Sequence, residues 1–400
     1  MTKYLKKMAN YPPPILVSEL GSFAHKTLIE RLPAIGKRII IENDFPMLIR
    51  ENLQILIDEL PDGKVRAVLS QKCALDVVDW YRYIEPYLGE SWLALPWYFA
   101  EAYFYRRVIE AIDYFNLVID PYAGQKKLGL ENSITSVYSL SSQINKLSGN
   151  WQKNELVNVI YAALWGNRFD LSLFSPEPEI QHKIYRENEQ GNLLVDDTEK
   201  LVNWLAVNSV ERIDVIIDNA GVELFCDLCL VDYLLNTQLA QTVCLHLKAH
   251  PTFVSDAIIK DVDDLLDRLF LEEDNEVKSF AMRLKKYITS QGLQLKEHLF
   301  WTSPLVFWEM PEDLMLELTK ASLTIIKGDA NYRRLLGDRH WSFTTPFAEI
   351  VSYFPTPLVA LRTLKSEIVC GLQPSLITRL NTEDTHWLTN GKRGVIQFAC

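Results

Sequence analysis

The sequence predicts an α/β chain: a C-terminal three-layer α/β/α Rossmann-like domain with a mostly parallel sheet, preceded by an N-terminal all-α helical domain. Three observations carry this prediction. After Arg212, short β-branched runs alternate with amphipathic helices, as expected for parallel strands covered by crossover helices. Before that point the apolar residues recur only at helix spacing, with turn signals between the runs. Finally, the apolar run Val215-Ile216-Ile217 stops abruptly on Asp218-Asn219-Ala220-Gly221. A buried strand that ends in a polar turn and feeds a helix is half of a βαβ unit, and in open parallel sheets ligands sit at that turn.

Taken in order, Pro12-Pro13-Pro14 marks an extended entry. From Phe23 to about Ile41 the residues Leu28, Ile29, Leu32 and Ile35 recur at helix spacing. Met47 to Leu60 is a second amphipathic helix, closed by Pro61-Asp62-Gly63-Lys64. Val77 to Tyr87 is aromatic and helical as far as Pro86. Leu93 to Phe115 is long and rich in Tyr, Trp and Phe, with Glu101, Arg106, Arg107 and Glu110 among them. Glu131–Leu147 and Glu155–Trp165 complete the helical region, placed at residues 1–172. Phe174–Asn192 is polar and carries Pro176, Pro178 and Gly191, so 173–208 is read as a linker loop followed by the short helix Thr198–Asn208. Residues 209–400 form the α/β part. Its strands are expected at Ile213–Ile217, Val243–Leu247, a weak one near His298–Trp301, Leu323–Ile326, Leu358–Leu361 and Val395–Phe398. Its helices are expected at Val222–Leu239, Ala257–Phe270, Val277–Thr289 and Leu314–Thr319.

The 400 residues are 48% hydrophobic and 23% charged, ample for a sizeable core. A net charge of −11 argues against nucleic acid as a partner, since such binders present a basic face. It leaves room for a small anionic substrate, because a metal or a few local cations reverse the field inside one cleft. The six cysteines have no disulfide-framework spacing, the first residues lack the apolar core of a secretion signal, and no uncharged segment is long enough to span a bilayer. A cytoplasmic protein with no membrane partner is expected. Whether it is a monomer or a homo-oligomer is not written in the sequence.

The chemistry gathers at the strand ends. Asp218 and Asn219 follow the first run, and Ser255-Asp256 lies in the loop after the second. Lys327-Gly328-Asp329-Ala330-Asn331-Tyr332-Arg333 follows Ile326, and Arg362-Thr363-Leu364-Lys365 follows Leu361. In a parallel sheet these segments share one edge. Oxygen ligands from Asp218, Asn219 and Asp256 suit a hard or borderline divalent cation such as Mg²⁺ or Mn²⁺. Such a cation polarises phosphoryl oxygens and lowers the pKa of a bound water. Lys365 and Arg362 have the charge to neutralise phosphate oxygens, Asn331 offers an amide for sugar hydroxyls, and Gly328 lets backbone approach a ligand closely. An acid at one strand end is also an ordinary helix cap. Four polar strand ends together point to a catalytic cleft.

These segments resemble the metal-dependent damage-control phosphatases, and more narrowly the subfamily with the Arg-Thr-x-Lys signature, whose members were also described as protein-glutamate carboxyl methyltransferases. Gly21-Ser22-Phe23-Ala24, Pro96-Trp97, Tyr105-Arg106-Arg107, Trp165-Gly166-Asn167 and Gly371-Leu372-Gln373-Pro374 extend the resemblance over nearly the whole chain. The resemblance implies a metal on Asp218, Asn219 and Asp256. It implies substrate contacts from Glu223, from Asp329, Ala330, Asn331, Tyr332 and Arg333, and from Lys365. It implies hydrolysis of phosphorylated metabolites such as fructose 1-phosphate, supported by Mn²⁺, Mg²⁺, Co²⁺ or Ni²⁺. Ala330 departs from the larger apolar residue expected there, which bears on substrate identity. Two routes stay open: a metal-activated water as nucleophile, or Asp218 itself. The haloacid-dehalogenase route is disfavoured because position 220 is Ala where an Asp-x-Asp motif needs a second Asp. The rival activity is a methyltransferase using S-adenosylmethionine, against which the glycine-poor Asp218–Gly221 turn counts. A non-catalytic scaffold is the third reading.

Other candidates have plainer explanations. Asp227, one helical turn from Glu223, reads as a structural partner. Cys226-Asp227-Leu228-Cys229 lies inside an apolar helix and reads as core. His246 and His250 are four apart but in a strand-like run, a poor zinc pair. Arg106 and Arg107 read as interior ion pairs, and Asn167 and Asp170 as loop caps or cleft lining.

Overall fold

The structure, a computed structural model, describes residues 11–69, 74–147, 149–166 and 192–400. Cys73, Asn167, Asp170 and all but the last residue of the expected loop Phe174–Asn192 lie outside the described residues. Seven strands form one sheet: β1 (Leu193–Asp196), β2 (Arg212–Ile216), β3 (Thr242–Lys248), β4 (Leu293–His298), β5 (Leu323–Lys327), β6 (Leu358–Thr363) and β7 (Gly394–Ala399). Their order is β1-β7-β6-β5-β2-β3-β4. The β6, β5, β2, β3 and β4 strands run parallel; β7 is antiparallel to β6, and β1 is parallel to β7. The α/β class with a mostly parallel sheet and a helical first half is therefore what the chain adopts.

β2 lies in the interior of the sheet, hydrogen-bonded to β3 and β5. Side chains alternate across it. Ile213, Val215 and Ile217 face one apolar layer, together with Val243, Leu245, Leu247, Ile325 and Val359. Ile216 faces the other layer, which it shares with Ile326, Leu358, Ala360 and residues from Ile15 through Ile112. The helical first half thus covers one face of the sheet directly. Helices Val222–Asn236, Ile259–Leu271 and Asn275–Thr289 belong to the opposite layer. Among the described residues no helix is long and apolar enough to cross a membrane.

The helix Trp97–Ala111 explains its aromatic richness: every one of its residues is buried. Its charges are paired, as the sequence suggested. Arg106 meets Asp76 at 2.7 Å and Arg107 meets Glu59 at 2.9 Å. Glu101 takes Arg333 at 2.5 Å.

The chain departs from expectation in several places. Helices Ile134–Ile144 and Lys153–Trp165, read with the N-terminal helices, pack instead in the layer built on Val222–Asn236. Lys153–Trp165 is apolar nearly all round, so its face towards the sheet cannot be read from periodicity. The stretch 173–208 contributes the edge strand β1, too short to register against its polar surroundings. β4 ends at His298 where the sequence suggested a start. The aromatic Leu299–Thr302 is a 3₁₀ turn, and the true strand is half-exposed or exposed at every residue after Leu293, as suits an edge strand.

Candidate active site

The site is built where β2 ends. Ile217 N–H still donates to His246 O at 3.1 Å, and then the chain leaves the sheet. The loop after β3 crosses it there: Ala220 N–H donates to Ser255 O at 2.7 Å and Ala257 N–H to Asp218 O at 2.8 Å. This stitching brings Asp218, Asn219 and Asp256 together across 38 residues of sequence, with an isolated bridge pairing Asn219 and Asp256.

Asp218 and Asp256 are almost wholly buried, 5% and 2% exposed. Asp218 Oδ2 accepts from Asn219 Nδ2 at 2.9 Å, but its Oδ1 has no hydrogen-bond partner. Asp256 Oδ2 also lacks one; it lies 3.3 Å from Lys248 Nζ in an ion pair. Asn219 is held at both ends. Its Oδ1 accepts from Ser255 Oγ at 2.5 Å, and its Nδ2 also donates to Glu223 Oε2 at 2.9 Å. Burial, then the neighbouring charges of Asp256 and Glu223, push the Asp218 carboxyl well above the ordinary range, while Lys248 and Lys365 pull it back. Burial likewise raises Asp256, against Lys248 and Lys126. Burial lowers Lys248.

β5 delivers Gly328 and Asp329. Gly328 has φ +83°, and a Cβ placed there would lie 1.9 Å from Asp218 Oδ2. The sequence suggested that this glycine admits a ligand; in the structure its missing side chain is the space that Asp218 occupies. Asp329 points at the segment after β6. It accepts from Arg362 Nε at 2.8 Å, Lys365 N–H at 3.0 Å and Ser366 Oγ at 3.1 Å. Burial would raise Asp329, but Arg362 and Arg333 outweigh it and hold the carboxyl below its usual range. Lys365 is thereby fixed by its backbone while its side chain stays exposed, near enough for its charge to act on Asp218.

The other expected substrate residues are engaged elsewhere. Asn331 is fully buried; its Nδ2 donates to Ile217 O and Lys327 O, tying the ends of β2 and β5 together. Tyr332 donates to Gln397 Oε1 at 2.7 Å and stacks on Phe347. Arg333 is shared between Asp338 and Glu101, with its guanidinium 3.5 Å from the Trp97 ring centroid. Arg362 is fully buried and also donates to Ile368 O and Ser366 Oγ. Ala330 is half-buried at the start of the helix Asp329–Leu335. Glu223 is a quarter exposed, 3.9 Å from Lys327 Nζ.

Two buried lysines were missed as a pair: Lys248 ends β3 and Lys327 ends β5. A lysine closing an apolar run in a central strand was the available signal. Lys327 pairs with Asp227 at 2.9 Å and donates to Ala163 O. Burial pushes Asp227 up to about 7 against the pull of Lys327. Asp218, Glu223, Asp227 and Asp256 thus face two buried lysines. Two negative charges stay unmatched by buried cations, and at the strand-end pair Asp218 Oδ1 and Asp256 Oδ2 stay without hydrogen bonds. Buried charge in that state calls for a counter-ion, and the oxygen-only donor set suits a hard divalent one.

A second trio has metal-ligand geometry. Asp214, Cys244 and His246 place their ligand atoms within 4.8 Å of one another, the one such group of His, Cys, Asp and Glu among the described residues. Its chemistry is already balanced. Arg212 grips both Asp214 oxygens at 2.5 and 2.8 Å, and His246 Nε2 lies 2.9 Å from Asp214 Oδ2. Burial, then Asp214, pushes the Cys244 thiol up to about 12. His250 is not brought to His246; it lies 3.8 Å from Asp76. Cys226 and Cys229 are free and buried, as core residues.

Comparison with known proteins bears on the family of the chain. A family model described as the damage-control phosphatase ARMT1-like domain matches residues 27–380. Damage-control phosphatase ARMT1 of Rattus norvegicus is 33% identical over 98% of this chain and 99% of that protein. The protein of the same name from Bos taurus is 34% identical and that from Homo sapiens 33%, each over 98% of this chain and 99% of its own length. A DUF89 family protein from Pyrococcus horikoshii is a more distant structural likeness, with a TM-score of 0.46 and 16% identity over 92% of this chain and 95% of that one. These relatives carry the name of phosphatases, and the methyltransferase alternative finds no support among them. Matched over most of its length by that family model, and by relatives a third identical end to end, the chain belongs to the ARMT1-like damage-control phosphatase family.

Proposed function

We propose that this chain is a metal-dependent phosphatase that hydrolyses small phosphate monoesters, sugar phosphates such as fructose 1-phosphate among them. Asp218, Asn219 and Asp256 would hold the divalent cation, Mn²⁺ or Mg²⁺, with Co²⁺ or Ni²⁺ as substitutes. The observation that carries this is the pair of buried oxygens without a hydrogen bond, Asp218 Oδ1 and Asp256 Oδ2. When bound, the cation supplies Lewis-acid polarisation of the phosphoryl group.

The chain's own residues account for the rest. Asn219, held by Ser255 and Glu223, keeps Asp218 Oδ2 occupied and leaves Oδ1 free. Lys248 sets Asp256 from behind. The Arg362–Asp329 pair gives the Arg-Thr-x-Lys signature its physical sense. Arg362 is buried structure, Asp329 is the bracket it anchors, and Lys365 is the charge presented to the phosphate. Asn331, Tyr332, Arg333 and Arg362 act as positioning residues. Glu223, Asp329, Ala330 and Lys365 border the substrate.

The test is phosphate release from a panel of sugar phosphates with each of the four cations and with chelator. Turnover should need the cation and vanish in Asp218→Ala. Turnover in chelator, or full activity in the variant, would overturn the proposal.

A further inference from the structure

The loop that delivers Asp256 has a backbone its residues disfavour. Phe253 has φ +46° and Val254 φ +67°. Two consecutive left-handed residues with side chains, one of them β-branched, persist only where the surroundings over-determine them. Ser255 N–H donates back to Phe253 O at 2.8 Å, closing a tight turn on Val254, and Ser255 O accepts from Ala220 N–H at 2.7 Å, tying the loop to the Asp218 turn. The side chain of Phe253 is held by rings. Its ring centroid is 4.8 Å from that of Tyr105 and 5.5 Å from that of Tyr98, the latter stacked at 21°. Both tyrosines come from the buried helix Trp97–Ala111, two turns apart and so on one face. Tyr105 in turn rests edge-on against Tyr122. The hydroxyls of Tyr98 and Tyr122 have no partner, so at those two residues the ring and not the hydroxyl makes the contact.

We propose that Tyr98, Tyr105 and Phe253 are positioning residues, an aromatic clamp by which the helical half holds the strained Phe253–Val254 turn and so sets Asp256 for the cation. This rests on the metal reading of the site. Without the clamp the turn relaxes towards ordinary backbone geometry and takes Ser255 and Asp256 with it. Loss of an outer partner of a metal ligand typically weakens binding about 10- to 100-fold.

The test is calorimetric titration of the full chain with Mn²⁺, with circular dichroism to check the fold. Phe253→Leu and Tyr105→Leu should each weaken Mn²⁺ binding about tenfold. Tyr105→Phe, which keeps the ring, should bind as the wild type does. Val254→Gly added to Phe253→Leu should restore much of the lost affinity, because glycine adopts the left-handed turn without help. Lost packing alone would not be rescued in this way. Wild-type protein that binds no Mn²⁺ would defeat the metal reading itself. Wild type that binds while Phe253→Leu and Tyr105→Leu bind equally well would overturn the clamp. Weakening without rescue by Val254→Gly would overturn the role of strain.

Discussion

Replacing Gly328 with alanine strikes the site without replacing any proposed ligand. The new Cβ would lie 1.9 Å from Asp218 Oδ2, 2.1 Å from its Cγ and 2.5 Å from its Cβ. No rotation of a methyl group relieves that, so Asp218 must swing away. A left-handed backbone costs alanine about 1–2 kcal/mol. Giving up the buried hydrogen bond from Asn219 adds about 1–3 kcal/mol, for a total of about 2–5 kcal/mol. Urea unfolding measures this, with Gly391→Ala as control. Gly391 has φ +72° but nothing within 4 Å of its would-be Cβ, so only the backbone cost, about 1–2 kcal/mol, should appear. Gly328→Ala should also abolish Mn²⁺ binding and phosphate release. Adding Asp218→Ala should recover much of the lost stability and none of the activity. Gly328→Ala with wild-type affinity and turnover would refute the placement of Asp218 against this glycine.

Further outcomes follow from the same geometry. Lys365→Ala should cut kcat/KM by roughly 100-fold, about 3 kcal/mol of transition-state stabilisation. Unfolding should move by less than about 0.5 kcal/mol, because the side chain is exposed. Arg362→Met removes the buried partner of Asp329 and should cost about 3–5 kcal/mol in urea unfolding. Activity should fall with it, because Lys365 loses its bracket. Burial pushes the buried His250 down to about 4, against the pull of Asp76. The unfolded chain, with an ordinary histidine near 6.5, binds the proton first. Stability from this group is therefore intact above about pH 6.5 and lost as pH falls towards 4, by about 3 kcal/mol in all. His250→Phe should flatten the stability profile in that window relative to wild type, and an unchanged slope would contradict the assignment.

Much of this molecule was legible in the sequence, and the exceptions have physical causes. The strand ends were readable because apolar β-branched runs stop sharply on polar residues, as at Ile217-Asp218 and Ile326-Lys327. The convergence of Asp218 with Asp256 followed from parallel topology alone. What failed was the distinction between residues that face the cleft and those that brace it. Arg333 and Arg362 have the chemistry of phosphate binders, yet both are buried and spent on Asp338, Glu101 and Asp329. Nothing local in a sequence separates the two cases, since Glu101 and Asp329 claim them from far along the chain and Asp338, though near Arg333, carries no sign that it folds back onto it. Gly328 was marked for the right property, room for a close approach, but what approaches is the side chain of Asp218. The helix Lys153–Trp165 was misplaced because an all-round apolar helix carries no facing information, and β1 because four residues carry no period.

The central claim is that the cation belongs between Asp218 and Asp256. Anomalous diffraction from crystals soaked in Mn²⁺ tests this directly. The account predicts a peak within bonding distance of Asp218 Oδ1 and Asp256 Oδ2, lost in Asp218→Ala. A peak among Asp214, Cys244 and His246 with none at Asp218, or no peak at all, would contradict it.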